Sequence, residues 1–196
     1  MATCNGDGNT NSKTGTEGKD KFRMGGGNDT VFGLGGNDDI KGEDGNDWLK
    51  CGSGRDTIEA NHGADYISGG TDQDLIRSGE GNDTILGDGS ADYIEGNDGA
   101  DNIYGGYGND IILGGDGSDY ATGNYGNGEI NGGDGNDKIS GGHGDDLIRG
   151  DGNDTIREEE SLDYIDGGAG ADKFYGGNCA DTLFGGADDD ILEGGS

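Results

Sequence analysis

The sequence predicts an all-β parallel solenoid whose coils each hold 18 residues and two short strands. Three observations lead there. First, a nine-residue unit repeats: glycine, glycine, any residue, glycine, any residue, aspartate, any residue, a large apolar residue, any residue. The stretch from Gly105 to Tyr120, GGYGNDIILGGDGSDY, holds two such motifs. Stepping nine residues at a time from Asp20 to Asp146, and again from Asp154 to Asp190, visits twenty positions; nineteen are Asp and the other is Gly128. Second, an apolar residue stands two places after every visited position, from Phe22, Val31 and Ile40 to Phe174, Leu183 and Leu192. Third, 49 of the 196 residues are Gly and none is Pro. Without a period that composition reads as disorder. With one it reads as turns, because Gly adopts the positive φ that tight turns need. Twenty units in register signify a repeat architecture.

The elements follow in chain order. Residues 1–14 are polar and irregular and are expected to be a tail or weak cap; residues 15–196 form one repeat domain with no linker. Each unit is expected to divide into a six-residue turn and a three-residue strand. Side chains alternate along a strand, so the apolar residue points inward and its neighbours outward. So short a strand cannot close a core alone; two units, one strand on each side, must make one coil. Twenty units then give about ten coils, and at about 4.8 Å per coil a rod about 48 Å long. The frame slips once, where Gly150-Asp151-Gly152-Asn153-Asp154 lacks a glycine. The longest interruption is Arg157-Glu158-Glu159-Glu160-Ser161-Leu162, where a bulged loop and a poor metal site are expected.

Composition excludes several classes. The net charge is −30, from 42 acidic and 12 basic residues. No basic patch exists to neutralise phosphates, which argues against nucleic acid; cations or a basic surface suit the charge. No apolar run reaches the roughly 18 residues of a membrane span. The opening Met1-Ala2-Thr3-Cys4-Asn5-Gly6 has neither the basic nor the apolar part of a secretory signal. Asp and Glu pairs are everywhere, so none stands out as an acid and base, and no Ser/His/Asp set is evident; the chain reads as non-enzymatic.

The apolar column is thin for a chain of this length, and the aspartates worsen the balance. Residues 18 apart, such as Asp101, Asp119 and Asp137, stack on one edge of the solenoid. Two carboxylates about 5 Å apart repel by about 0.8 kcal/mol in water and about 3 kcal/mol at an effective dielectric of 20. A divalent cation between successive turns relieves this. Calcium takes six to eight hard oxygen ligands and tolerates irregular geometry, so turn carbonyls must join the carboxylates; magnesium demands a strict octahedron. Zinc is poorly served, since His62 and His143 lie 81 residues apart and the three Cys do not cluster. The competing reading is that the Asp column only makes Asx turns.

The unit resembles the calcium-binding nonapeptide repeat of the RTX (repeats-in-toxin) proteins, over roughly residues 15–194. The resemblance implies a right-handed parallel β-roll, several calcium ions per chain, and a secreted, extracellular protein that folds in calcium-rich surroundings. The implied carboxylate ligands are Asp20, Asp29, Asp38, Asp47, Asp56, Asp65, Asp74, Asp83, Asp92, Asp101, Asp110, Asp119, Asp137, Asp146, Asp154, Asp163, Asp172, Asp181 and Asp190. In the family, carbonyls of motif positions one and three serve one side of a turn, those of two and four the other, and the Asp bridges both. Carried over, Gly114 and Asp116 face one ion, Gly115 and Gly117 the next, with Asp119 between them. The other units matching all motif positions offer the carbonyls of Gly105, Gly106, Tyr107 and Gly108; Gly132, Gly133, Asp134 and Gly135; Gly141, Gly142, His143 and Gly144; and Gly167, Gly168, Ala169 and Gly170. Nine gaps on each edge allow up to about 18 ions, whose +36 exceeds the chain's −30, so partial occupancy is expected. Gly128 removes a ligand from the gaps shared with Asp110 and Asp146, and turns 69–74, 158–163 and 185–190 depart from the motif.

Other features carry less. Cys51 and Cys179 replace motif glycines about seven coils apart, roughly 34 Å, too far for a disulfide. Outward positions carry Leu75, Tyr93, Ile111, Leu113 and Leu147 on one face and Trp48 and Tyr66 on the other; they decorate the sheets or form a contact patch. Two further readings stay open: the repeat portion of a secreted enzyme or toxin, and an adhesive or self-assembling extracellular protein. A single Thr in the third motif column argues against ice binding. The final Gly194-Gly195-Ser196 stops in mid-repeat, so end-to-end self-association is also an expectation.

Overall fold

The computed structural model describes residues 3–195. Twenty-two short strands, β1 (Thr3–Asn5) through β22 (Ile191–Glu193), follow one another with no helix between them. Odd-numbered strands form one eleven-stranded sheet and even-numbered strands the other, each in chain order. All pairs are parallel. The register is 18 residues, as in Tyr93↔Ile111 and Ile94↔Ile112, and shortens across the missing glycine to Lys138↔Thr155 and Leu147↔Tyr164. The chain is therefore a β-solenoid of eleven coils. Among the described residues no helix is long and apolar enough to cross a membrane.

The core is the apolar column itself. Phe22, Ile40, Ile58, Ile76, Ile94 and Ile112 of one sheet face Val31, Leu49, Ile67, Ile85, Ile103 and Ala121 of the other, all fully buried. Isoleucine dominates because its branched, stiff side chain suits a pleated surface and loses little freedom there. The outer faces are laced by charge. Lys21 pairs with Asp39, Lys41 with Glu59 and Arg77 with Glu95, each one coil apart. Trp48 packs on Tyr66 at 4.8 Å between ring centres.

Two differences from the sequence reading have local causes. The central strands hold six residues, as in β12 (Asn102–Tyr107) and β13 (Ile111–Asp116). Position one of the next motif lies two residues beyond the apolar side chain and also faces inward. Backbone pairing then runs on through positions two and three, as in Asn97↔Gly115 and Asp98↔Asp116. The eleventh coil comes from residues 3–14, where β1 and β2 (Ser12–Thr14) stack on the first motif coil. Cys4 pairs with Phe22, Lys13 with Val31, and the Asn11 N–H donates to Asp29 Oδ1 at 2.6 Å. At the far end β22 leaves Ile191 and Leu192 exposed.

Candidate metal centre

Each motif turn is made by backbone that only glycine tolerates well: Gly115 and Gly117, positions two and four, have φ of 115° and 143°. The turn delivers the aspartate at position six to the interior; Asp119 is 2% exposed. A buried carboxylate must be hydrogen-bonded or neutralised. Half of that need is met. In turn after turn Oδ1 accepts the N–H of the residue one coil earlier: Asp101 N–H to Asp119 and Asp119 N–H to Asp137, both 2.8 Å. The bond thus runs between coils, not within one turn. The other oxygen is left over. Among the described residues, seventeen Oδ2 atoms of this column, from Asp29 to Asp181, are buried without a hydrogen-bond partner.

Those oxygens face a hollow lined by more oxygen. A Cβ built on Gly114 would lie 2.5 Å from Asp119 Oδ2 and 2.3 Å from the carbonyl oxygen of Gly132, the same motif position one coil on. The same pairing recurs at Gly96, with Asp101 Oδ2 and the Gly114 carbonyl, and at Gly105, with Asp110 Oδ2 and the Gly123 carbonyl. Carbonyls of positions two and four point the opposite way. The Asn97 carbonyl faces Gly115, the Gly117 carbonyl faces Gly135 and the Gly126 carbonyl faces Gly144. Carbonyls of position three turn toward the preceding coil and accept an N–H there: Asp116 from Gly99, Asp134 from Gly117 and His143 from Gly126, each 2.8 Å. Each gap between turns thus gathers a carboxylate oxygen with no donor and several carbonyl oxygens. This all-oxygen donor set fits calcium, whose ligands sit at about 2.3–2.6 Å.

Burial also acts on the acidity. Desolvation, partly offset by the inter-coil N–H bond, pushes Asp38 and Asp47 up to about 6, Asp56, Asp65, Asp74, Asp101 and Asp137 up to about 7, and Asp92 up to about 8. Without a cation the column resists being charged.

Nineteen aspartates were expected as ligands, and the structure places them unevenly. Seventeen share the arrangement above. Asp20 differs: its Oδ2 accepts the backbone N–H of Thr16 at 2.6 Å and the Thr16 hydroxyl at 2.8 Å. Asp190, near the exposed end, is half-buried and accepts the Asp172 N–H at 3.0 Å. Gly128 keeps the ladder intact on one side, donating to Asp146 Oδ1 at 2.6 Å, but offers no carboxylate. His62 and His143 stay at the solvent-facing turn edge, His62 beside Asp44 and His143 stacked on Tyr125, so neither joins the oxygens.

Position one carries a signal that motif counting passes over. Met24, Cys51, Ala60 and Ser78 stand there in place of glycine, and all four are fully buried. Glu158 stands there too, 4% exposed, with its carboxylate inside the solenoid. The alternation of inward and outward residues, extended two places past the apolar column, would have found all five.

A family model for the RTX calcium-binding nonapeptide repeat (4 copies) matches residues 14–50, 52–85, 86–121, 122–156 and 160–192. The matched segments skip Cys51 and residues 157–159. Among curated proteins no match is found.

Proposed function

The chain belongs to the RTX calcium-binding nonapeptide repeat family, and from that premise we propose that it is a rod whose coils are tied together by calcium. It stays unfolded where calcium is scarce, folds where calcium is abundant, and has a structural or secretion-associated role outside the cell. The observation that carries this reading is the file of seventeen buried carboxylate oxygens that have no hydrogen-bond partner among the described residues. Each would be costly in a metal-free fold. A cation in each gap would neutralise two aspartates at once and bond the carbonyls that converge there. The matched family is a calcium-binding repeat rather than a catalytic one, and the reading assigns the chain no reaction.

Three physical consequences support the role. The apolar column is one side chain thick, so binding energy and folding energy are largely one quantity. Coils touch only their neighbours, so each ion helps the next coil to form, and ordering is cooperative along the rod. Extracellular calcium modules work at Kd of about 10⁻⁴–10⁻³ M, a range that separates the calcium-poor interior of a cell from its surroundings. The test is far-UV circular dichroism during a calcium titration of chelator-treated protein. A coil spectrum that turns sharply to a β spectrum is expected. A β spectrum already present in excess chelator at pH 8 would overturn the reading, and magnesium in place of calcium is expected to restore little.

A further inference from the structure

Position one of the motif is glycine in fifteen of the twenty units, and Met24, Cys51, Ala60 and Ser78 fill it in four more. Glu158 alone brings a charge to it. Its side chain crosses the gap to the preceding coil, where Oε1 accepts the Gly141 N–H at 2.7 Å and Oε2 the Gly142 N–H at 3.3 Å. In an ordinary gap the hollow beside the glycine is faced by one Asp Oδ2 and one carbonyl oxygen. Here a Cβ on Gly141 would lie 2.4 Å from Asp146 Oδ2 and 2.6 Å from Glu158 Oε2. A carboxylate has taken the place of the carbonyl.

A third carboxylate closes the set. Asp163 Oδ1 accepts the Asp146 N–H at 2.9 Å. One oxygen each from Asp146, Glu158 and Asp163 lies within 4.8 Å of the other two, and all three residues are at most 4% exposed. The Oδ2 atoms of Asp146 and Asp163 are buried and accept no hydrogen bond, and Asp146 Oδ2 is aimed at the same hollow as Glu158 Oε2. Among the described residues none of the three is ion-paired with a Lys or Arg. The cluster sits where the frame slips: the backbone pairing between the turns on either side is the isolated bridge His143↔Glu160, and residues 157–159 fall outside the family match.

We propose that Asp146, Glu158 and Asp163 form a three-carboxylate site for a hard, oxygen-seeking cation, distinct in its donor set from the motif gaps and the first to fill. The inference rests on the reading that the gaps hold calcium, but concerns a ligand the motif does not supply. An ordinary gap offers two carboxylates with neutral carbonyls; this one offers three carboxylates, and ligand charge and rigidity set calcium affinity. The loop lost its turn glycines, which made a poor site the expectation from sequence; a side-chain oxygen replaces the missing main-chain one. The ion would pin the two coils together where the strand pairing falls to three residue pairs on each sheet.

The test counts ions by native mass spectrometry as chelator-stripped protein is titrated with calcium, for the natural chain, Glu158→Gln and Glu158→Gly. Gln keeps the shape and an amide-accepting oxygen; Gly restores the motif residue and guards against a folding defect. The natural chain is expected to show a one-ion species before the rest load. Both variants are expected to lose that species, with the first ion bound at least tenfold more weakly and the β spectrum retained at millimolar calcium. Terbium below one equivalent should partition to the natural chain over Glu158→Gln by a similar factor. Equal first-ion affinity in all three chains, with many ions bound at saturation, overturns this site and leaves the calcium rod standing. No ion on any chain overturns both. A protonated-carboxyl infrared band that persists in saturating calcium and vanishes in Glu158→Gln would mean that Asp146 and Glu158 share a proton, and also overturns the site.

Discussion

Between Gly15 and Asp83, four of the eight inward-facing first positions of the motif are filled, by Met24, Cys51, Ala60 and Ser78; between Gly87 and Asp146 all seven are glycine. Both stretches bury the same rank of aspartates in the same 18-residue register. In the first, side chains occupy the hollow in those four coils. Met24, Cys51 and Ala60 extend the apolar core, and the Ser78 hydroxyl donates to the Gly96 carbonyl at 2.7 Å. In the second, glycine leaves the hollow to carboxylate and carbonyl oxygens, with isoleucine methyls such as those of Ile94 and Ile103 beside them. The difference teaches that a solenoid can steady its turns by packing or by ions. On the proposed reading the central coils depend on ions, while the first stretch keeps part of its support in packing.

The largest expected effect involves the whole column. Folded-state values pushed up to about 6–8 mean that the metal-free fold binds protons more tightly than the unfolded chain, whose aspartates titrate near 3.8. Stability from this source is fully present below about 3.8 and is lost as pH rises through about 6–8. Acidifying the protein from pH 8 to about 4 in excess chelator should therefore restore β structure, read by circular dichroism. In calcium the same protons compete with the ion, so the calcium midpoint should rise as pH falls from 8 to 6. A chelated chain equally disordered at both pH values would break the link between burial and charge.

Next comes the loss of one carboxylate. Asp119→Ala removes a ligand from two gaps and should cost about 3–5 kcal/mol in saturating calcium by urea unfolding. Asp29→Ala, in the coil that holds Met24, should cost about 1.5–3 kcal/mol, the worth of its charged hydrogen bond from Asn11. Equal costs would erase the contrast between the two stretches.

Exchanging the residues of the hollow should be milder and reciprocal. Gly114→Ala forces a methyl within 2.3 Å of the Gly132 carbonyl oxygen and 2.5 Å of Asp119 Oδ2. It should cost about 1–3 kcal/mol by overpacking and lower the bound-calcium count. Ala60→Gly should lose about 1 kcal/mol in saturating calcium while raising the bound-calcium count. A calcium count unchanged in both variants would separate the hollow from ion binding.

The smallest effect is a local rate. Cys51 is buried, and desolvation followed by the charges of Asp56, Asp74 and Asp38 pushes its thiol well up. In calcium it should resist alkylation while the exposed Cys179 reacts. In chelator Cys51 should react at least tenfold faster than in calcium and approach the rate of Cys179.

Periodicity makes the larger features legible in the sequence. Spacing alone places Asp119 over Asp101 and Ile112 over Ile94, and the strand alternation turns the isoleucines inward. What motif counting alone does not give is direction and depth in the turns. The spelling Gly-Gly-X-Gly reads as turn throughout; only strand alternation carried two places past the apolar column turns position one, with Met24 and Ser78, into the solenoid. Glu158 stands in the interruption that reads as a bulged loop, and the same alternation, continued two places past Ile156, carries it inside. The coil of residues 3–14 was hidden because Cys4 and Lys13 stand in the apolar columns and Asn11 in the aspartate column, although stepping back by nine from Asp20 reaches Asn11.

The most direct test of the central claim is hydrogen–deuterium exchange of the central coils, residues 87–146, with calcium and with excess EGTA at pH 8. The amides of Asp101, Asp119 and Asp137, which link one coil to the next, should be strongly protected in calcium and should exchange at the rate of an unfolded chain in EGTA. Protection that survives the chelator unchanged would contradict the account, because side-chain packing and backbone pairing would then hold these coils without an ion.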